Sequence, residues 1–405
     1  MNSPPDTVLR PPDPDLLEDI GDFLESIDSW VLERQTELTG IPAPPFGESR
    51  RGRRMARFFE EVGLARVLED GVGNVRGWIG CSDVPSGGEG QADVGGASGR
   101  PFIVSAHLDT VFPAGTDVSP RRENGLIRAP GIADDGRGLA ALLALARVFR
   151  ELEIPLSYPL LFVATVGEEG AGNLRGVRYL FGPEGVGGDV GGFVSLDGVG
   201  LERIVTAGVG SRRLRLTIRG PGGHSWTDWG DPNPLHLLGG IISRAREIPL
   251  PTQPRTTLTF ARCGGGTSIN ALPREAWAEV DLRSEKEEEL EEVERGVLAV
   301  ARGEVRRNGG GVELDVVELG HRPAGGTAAS SHLVRAAREA TRLLGVEPLL
   351  VSSSTDANLP MALGIPAITM GAGGEAGGIH TADEWYRNRN GPAGILRAAL
   401  TLLLL

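Results

Sequence analysis

The sequence predicts an α/β fold in which a largely parallel sheet is interrupted by a smaller α+β domain. Three observations carry this reading. From residue 101, near-continuous apolar strands alternate with helices through PFIVSAH, GLAALLALARVFREL, PLLFVATV, GVRYLF and GGFVSLDG, the pattern of a parallel sheet covered on both faces. Around residue 210 the texture changes, because RLRLTIRG alternates charged and apolar residues with period two, and WAEVDLR and VELDVVEL repeat it. After residue 330 a helix, an apolar strand, PAITM and a final helix return to the first style.

Residues 15–209 and 321–405 are therefore expected to form one domain, with 210–320 inserted into it as an antiparallel sheet. The segments LHLLGGIISRAREI and EKEEELEEVERGVLAVARGE supply helices for one side of that sheet. A chain of 405 residues also exceeds the size at which one hydrophobic core keeps growing. In chain order, residues 1–14 are rich in proline and aspartate and read as a mobile arm. DLLEDIGDFLESIDSWVLERQTELTG has helical apolar spacing, RRMARFFEEVGL is a further helix and NVRGWIG a short strand. SDVPSGGEGQADVGGASGR has too little apolar content for anything except a surface loop.

Composition narrows the function. The 40% apolar and 23% charged fractions are globular, and 60 glycines with 28 prolines imply many tight turns. A formal net charge of -13 argues against nucleic acid or an anionic membrane as partner. Cys81 and Cys263 are too few for a disulfide framework or a thiolate metal site, which points to a reducing compartment. With no signal-peptide pattern at the N-terminus and no membrane-length apolar run, the expected location is the cytoplasm.

The chemistry collects at strand ends. PFIVSAHLDTV ends a strand on His107, and Asp109 lies on the same side two positions later. A carboxylate beside a histidine fixes its tautomer as a metal ligand; a strand-end histidine in a satisfied hydrogen-bond network is the other reading. Asp134 and Asp135 sit in a glycine-flanked turn opening an apolar helix, and an N-cap role explains one of the two. Glu168 and Glu169 follow the strand LLFVATV, and Asp197 follows GGFVSLDG. Each alone reads better as a solvated loop charge than as a ligand. In a parallel sheet, however, all carboxyl ends of the strands open on one edge, where such folds place their ligands. That many converging carboxylates cannot all stay ionised without cations, and bound divalent metal resolves the conflict. His380, in the glycine-rich GAGGEAGGIHTADEW, is the further ligand expected. Imidazoles with carboxylates and no thiolate suit zinc, with manganese or cobalt as alternatives. His236 and His332 fall in expected helices and His321 after a strand, where ordinary surface or core roles fit them.

In this order HLDTV, GIADDGRG, GEEG, SLDG and GIHTADEW resemble the motif set of the dimetal hydrolases that include aminoacylase, carboxypeptidase G, acetylornithine deacetylase, succinyl-diaminopimelate desuccinylase and peptidase T. The similarity spans roughly residues 30–400. It implies a zinc-peptidase-like catalytic domain and a ferredoxin-like inserted domain serving as lid and dimerisation element. It implies one metal on His107, Asp134 and Asp197 and another on Asp134, Glu169 and His380, with Asp134 bridging. Asp109 becomes the partner of His107, Glu168 the general base, and the Asp134–Asp135 peptide bond cis. Gly136 departs from the pattern, since relatives commonly carry a lysine there, and Arg137 is the candidate replacement.

In the smaller domain, GPGGHSW offers His224, TSINALP Asn270 and DLRS Arg283. By residue type alone these are a surface histidine, a turn asparagine and a paired strand-end arginine. The resemblance implies that His224 reaches a partner subunit's active site and stabilises the oxyanion with Asn270, while Arg283 grips a substrate carboxylate. The expected activity is hydrolysis of a peptide or amide bond by a di- or tripeptidase or other exopeptidase acting as a homodimer. An N-acyl amino acid deacylase is the alternative, and a metal- or peptide-binding protein without catalysis the reading of another class.

Overall fold

The computed structural model describes residues 13–80, 99–307 and 310–405. The arm expected over residues 1–14 and the loop expected over 82–100 lie almost wholly outside these; Asp13 and Pro14 already open the first helix, whose N-cap is Asp13. Helices α1 (Pro14–Ser26) and α2 (Asp28–Thr39) meet at Ile27 and precede α3 (Ser49–Glu61), β1 (Ala65–Glu69) and β2 (Val75–Ile79). Next come β3 (Phe102–His107), α4 (Gly136–Glu151), β4 (Leu160–Thr165), α5 (Arg175–Leu180), β5 (Gly192–Leu196) and β6 (Arg203–Gly208). Then follow β7 (Gly210–Arg219), α6 (Pro234–Ala245), β8 (Thr256–Gly265), β9 (Glu275–Ser284), α7 (Glu287–Arg307) and β10 (Glu313–Arg322). The chain closes with α8 (His332–Leu343), β11 (Leu349–Ser353), β12 (Ala367–Met370) and α9 (Gly391–Leu403).

Packing divides the chain into two compact units, Gly208–Gly325 and the remainder. In the larger unit the sheet order is β1-β2-β4-β3-β5-β12-β6. The four central strands, β4, β3, β5 and β12, run parallel, and antiparallel pairs flank them. Every residue of β4 and β5 is buried, as strands covered on both faces require. Helix α4, buried along most of its length, packs into the main core with Val104, Ala106, Leu160 and Phe162. The carboxyl ends of the four parallel strands open on one edge, and the chain leaves each strand there.

The smaller unit runs β7-α6-β8-β9-α7-β10, the split βαβ pattern of ferredoxin-like folds. Its antiparallel sheet has the order β8-β9-β7-β10. Leu214, Leu216 and Ile218 of β7 and Ala276, Ala278, Val280 and Leu282 of β9 alternate inward and pack on Leu237, Ile241, Leu290 and Val297 of the helices. Two edge details differ from the sequence reading. Strand β8 has one fully buried residue and is exposed over half its length, so its apolar alternation is weak and it escapes pattern recognition. His321 lies inside β10, because a bulge between Glu318 and Gly320 lets the strand continue to Arg322.

Candidate metal centre

Strand β3 delivers His107 as its last residue. The Oδ2 atom of Asp135 accepts the His107 backbone N–H at 3.0 Å, and its Oδ1 accepts Gly138 N–H at 3.0 Å to cap α4. Asp135 is thus the capping member of the aspartate pair. Asp134, joined to it by a cis peptide bond, carries its carboxylate between two imidazoles. Its Oδ1 lies 3.0 Å from His107 Nε2 and its Oδ2 2.9 Å from His380 Nε2. His380 Nε2 is also 3.0 Å from Glu169 Oε1.

The tautomers explain why a cation fits. Nδ1 of His107 is 3.0 Å from the Asp109 carbonyl oxygen, and since a carbonyl only accepts, Nδ1 carries the hydrogen. Its Nε2 then turns a lone pair on a carboxylate that offers only lone pairs, a contact that needs a proton or a metal between them. Ligand atoms of His107, Asp134 and Glu169 lie within 4.8 Å of one another, so one ion can engage all three. Asp197 leaves β5 at the same sheet edge, its N–H donating to Met370 O at 3.1 Å.

The acid–base equilibria report this crowding. Burial works against the His107 imidazolium, but the bond to Asp134 and the charges of Asp135, Asp134 and Asp197 hold its pKa well above the ordinary value. The bonds to Asp134 and Glu169 push His380 up to about 10. Burial works to raise Asp134, yet the two imidazoles hold it below the ordinary carboxylate range. Desolvation, with the nearby charge of Asp134, pushes Asp197 up to about 7.

Asp109 supports the centre through different atoms from those expected. Its carbonyl oxygen, not its carboxylate, holds His107; Oδ1 of the carboxylate is 3.8 Å from Nδ1. The reason is competition: Oδ1 accepts Glu168 N–H at 3.0 Å and Oδ2 accepts Glu169 N–H at 2.7 Å. A single buried residue therefore fixes both His107 and the glutamate pair. Gly167 at φ 66° and Gly170 at φ 49° supply the left-handed backbone that turns the chain around Glu168 and Glu169.

The family model for peptidase family M20/M25/M40 matches residues 103–403. The chain belongs to that family. Membership makes it a hydrolase of peptide or amide C–N bonds, and the cluster of His107, Asp134 and Glu169 could hold a metal ion. Succinyl-diaminopimelate desuccinylase of Corynebacterium glutamicum is 28% identical over 295 residues, covering 70% of this chain and 75% of that protein. The cytosol non-specific dipeptidase of Escherichia coli is 26% identical over 277 residues, covering 62% of this chain and 53% of that protein. A tripeptidase from Staphylococcus aureus shares the fold with TM-score 0.74 and 23% identity over 92% of this chain and 96% of that one.

One residue of this M20 chain, Glu384, escaped the sequence reading, and Arg137, singled out there in place of a lysine, takes a buried position. Glu384, fully buried, accepts Gly131 N–H on Oε2 at 2.9 Å and the N–H groups of Ala133 and Asp134 on Oε1 at 2.8 and 3.1 Å. It clamps the turn that presents Asp134. Desolvation pushes Glu384 up to about 7 against the pull of those three bonds. Its one sequence signal is its place in GIHTADEW, four residues after His380. Arg137 is also fully buried; its Nε donates to Ala372 O at 2.8 Å and Nη2 to Gly391 O at 2.7 Å, tying the loop after β12 to the start of α9. His380 itself has φ 65°, a left-handed conformation uncommon for a non-glycine residue.

In the smaller unit, His224 and Asn270 meet on a two-strand ribbon where His224 pairs with Ala271 and Ser225 N–H donates to Asn270 O at 3.0 Å. The Nδ1 atom of His224 accepts the N–H groups of Trp226 and Thr227 at 3.2 and 3.4 Å, so Nε2 carries the hydrogen. Ser268 Oγ donates to Asn270 Oδ1 at 2.6 Å, which leaves the Asn270 amide to donate. Arg283, on β9, pairs through Nε with Asp281 Oδ2 at 2.7 Å.

Proposed function

We propose that this M20 chain is a metal-dependent di- or tripeptidase that binds two divalent ions, zinc in the first instance, with manganese or cobalt able to replace it. The observation that carries the reading is the carboxylate of Asp134 between His107 Nε2 and His380 Nε2 at 3.0 and 2.9 Å. In this reading His107, Asp134 and Asp197 would hold one ion, and Asp134, Glu169 and His380 the other. Divalent ions at such a centre lower the pKa of bound water and polarise the scissile carbonyl.

The protein's own residues supply the rest. Glu168, buried and held at its backbone by Asp109, takes a proton from the attacking water and returns it to the leaving amine. His224 and Asn270 act as donors to the oxyanion, a role that the engaged acceptor atoms of both side chains support. Arg283 selects substrates with a free carboxylate, exchanging its pairing with Asp281 for the ligand. The smaller unit serves dimerisation in this reading, and His224 then acts at the partner subunit's centre. Cytoplasmic location fits the composition; among the described residues no helix is long and apolar enough to cross a membrane.

A second reading, removal of an N-acyl group from an amino acid, is favoured by the 28% identity to a desuccinylase. The experiment is to strip metal with a chelator, reload with zinc, manganese or cobalt, and assay dipeptides, tripeptides, N-acetyl and N-succinyl amino acids. Peptide hydrolysis lost on stripping and restored on loading is expected. Turnover of the N-acyl substrates alone establishes the second reading. Metal binding with no amide hydrolysed means a binding protein.

A further inference from the structure

Helix α3 buries a cation to which the proposed chemistry gives no role. Arg51 is fully buried, and its guanidinium donates from all three nitrogens to backbone carbonyls: Nη1 to Leu108 O at 2.7 Å, Nε to Ile41 O at 2.9 Å and Nη2 to Thr39 O at 3.3 Å. Packing does not ask for a charge here. Met55, Phe58 and Phe59 already supply the apolar face of α3, and a buried ion can often be replaced by an apolar side chain of similar volume without loss of stability.

The backbone around Leu108 gives the charge a purpose. Leu108 lies between His107 and Asp109; its N–H donates to Thr165 O at 2.7 Å, and its carbonyl oxygen is the one Arg51 holds. On either side, Asp135 holds the His107 N–H and the Asp109 carbonyl meets His107 Nδ1. Arg51 therefore clamps the peptide between Leu108 and Asp109, and the next carbonyl along is the one that fixes the His107 tautomer. The guanidinium is itself anchored from the other side by Thr39 O, at the end of α2, and by Ile41 O just beyond it.

Charge converges on the same point. Burial pulls the pKa of Arg51 down to about 10, against the charges of Asp109 and Asp135, which leaves the group cationic near neutral pH. Asp135 holds the backbone of His107, and Asp109 those of Glu168 and Glu169. One cation thus acts on both carboxylates that hold these residues.

We propose that Arg51 is a positioning residue of the metal centre, which by its bond to Leu108 O fixes the strand-end turn that presents His107 Nε2 to the ion, without being a ligand itself. This rests on the reading of His107 as a ligand.

The test is zinc titration by calorimetry of the metal-stripped full chain, at a temperature where circular dichroism shows each metal-free variant folded. Arg51→Met keeps the bulk and loses charge and donors; Arg51→Lys keeps the charge and one donor nitrogen. Arg51→Met is expected to bind zinc at least ~10-fold more weakly, and Arg51→Lys to recover part of that loss. Wild-type affinity in folded Arg51→Met, with only a lower melting temperature, overturns the inference, because that is all a structural arginine predicts. Should Arg51→Met fail to fold, Arg51→Lys decides: weakened zinc binding supports the inference and wild-type affinity overturns it. His107→Ala separates the two levels. Unchanged zinc affinity and stoichiometry in His107→Ala overturn the ligand reading and this inference with it, whereas loss in His107→Ala beside wild-type affinity in the Arg51 variants overturns the inference alone.

Discussion

The Oε1 atom of Glu384 accepts the backbone N–H of Asp134 at 3.1 Å, so the segment that carries His380 also holds the backbone of the carboxylate His380 touches. The proposed ligand and the clamp lie on one loop, and the spacing across Asp134 is set by that loop's geometry. Glu384→Gln replaces one accepting oxygen by an amide that faces N–H groups. Partners behind the ligands are typically worth 10–100-fold in metal affinity. Zinc titration by calorimetry is expected to show at least a ~10-fold weaker association; wild-type affinity would show that the turn holds itself.

The smaller unit has a comparable anchor. Glu287 Oε1 lies 3.1 Å from Arg212 and 3.2 Å from His321, and Oε2 accepts Ala324 N–H at 2.8 Å. Partial burial works to raise its pKa, but the Ala324 and Arg212 bonds outweigh it and hold the value below 4.5. A depressed carboxylate stabilises the folded state above its unfolded pKa, and that contribution is lost as pH falls through the folded value. Glu287→Gln is therefore expected to melt lower than wild type at pH 7, with the difference closing as pH falls below 4.5. A gap that persists in acid would assign the loss to packing.

The strand-end carboxylates were legible because two signals coincided: an apolar run that must be buried, and charge placed just beyond it. His107, Asp134, Glu169 and His380 all come together as that logic requires. Glu384 was not legible, because a glutamate in a polar loop carries no mark of the three N–H groups it will meet. The atoms by which Asp109 acts were hidden for the same reason: residue type names a carboxylate, while the fold decides whether carboxylate or carbonyl reaches the imidazole. At the sheet edges the limit was different. Strand β8 is half exposed with one fully buried residue, so its burial leaves little alternation in the sequence to read.

Close approach of backbones makes a further prediction at Gly138. A Cβ there would lie 2.2 Å from both Asp135 Oδ1 and Leu196 O. Neither can retreat easily, since Asp135 is bound to His107 and Leu196 ends β5. Overpacking of this kind costs about 1–3 kcal/mol. Gly138→Ala is expected to lower the melting temperature and, by displacing Asp135, to weaken zinc binding. Gly239→Ala, on α6 with nothing within 4 Å of the added atom, is the control and should stabilise by about 0.5–1 kcal/mol. Equal effects would mean that the crowding at Gly138 relaxes.

The two glutamates after β4 divide the work in the proposed mechanism, and a single substitution separates them. Glu169 touches His380 at 3.0 Å and shares the ligand cluster with His107 and Asp134, whereas Glu168 is outside it. Both backbones hang from Asp109, so a change at one side chain leaves the other in place. Glu168→Gln keeps the size and removes the basic oxygen. It should bind metal with wild-type stoichiometry by elemental analysis while kcat falls about 10²–10⁴-fold, the usual worth of a positioned general base. Glu169→Gln should instead lose metal affinity first and regain part of its rate at high metal concentration. If Glu168→Gln lost metal as readily as Glu169→Gln, Glu168 would be a ligand; if it kept full rate, the proton would have to leave by another group.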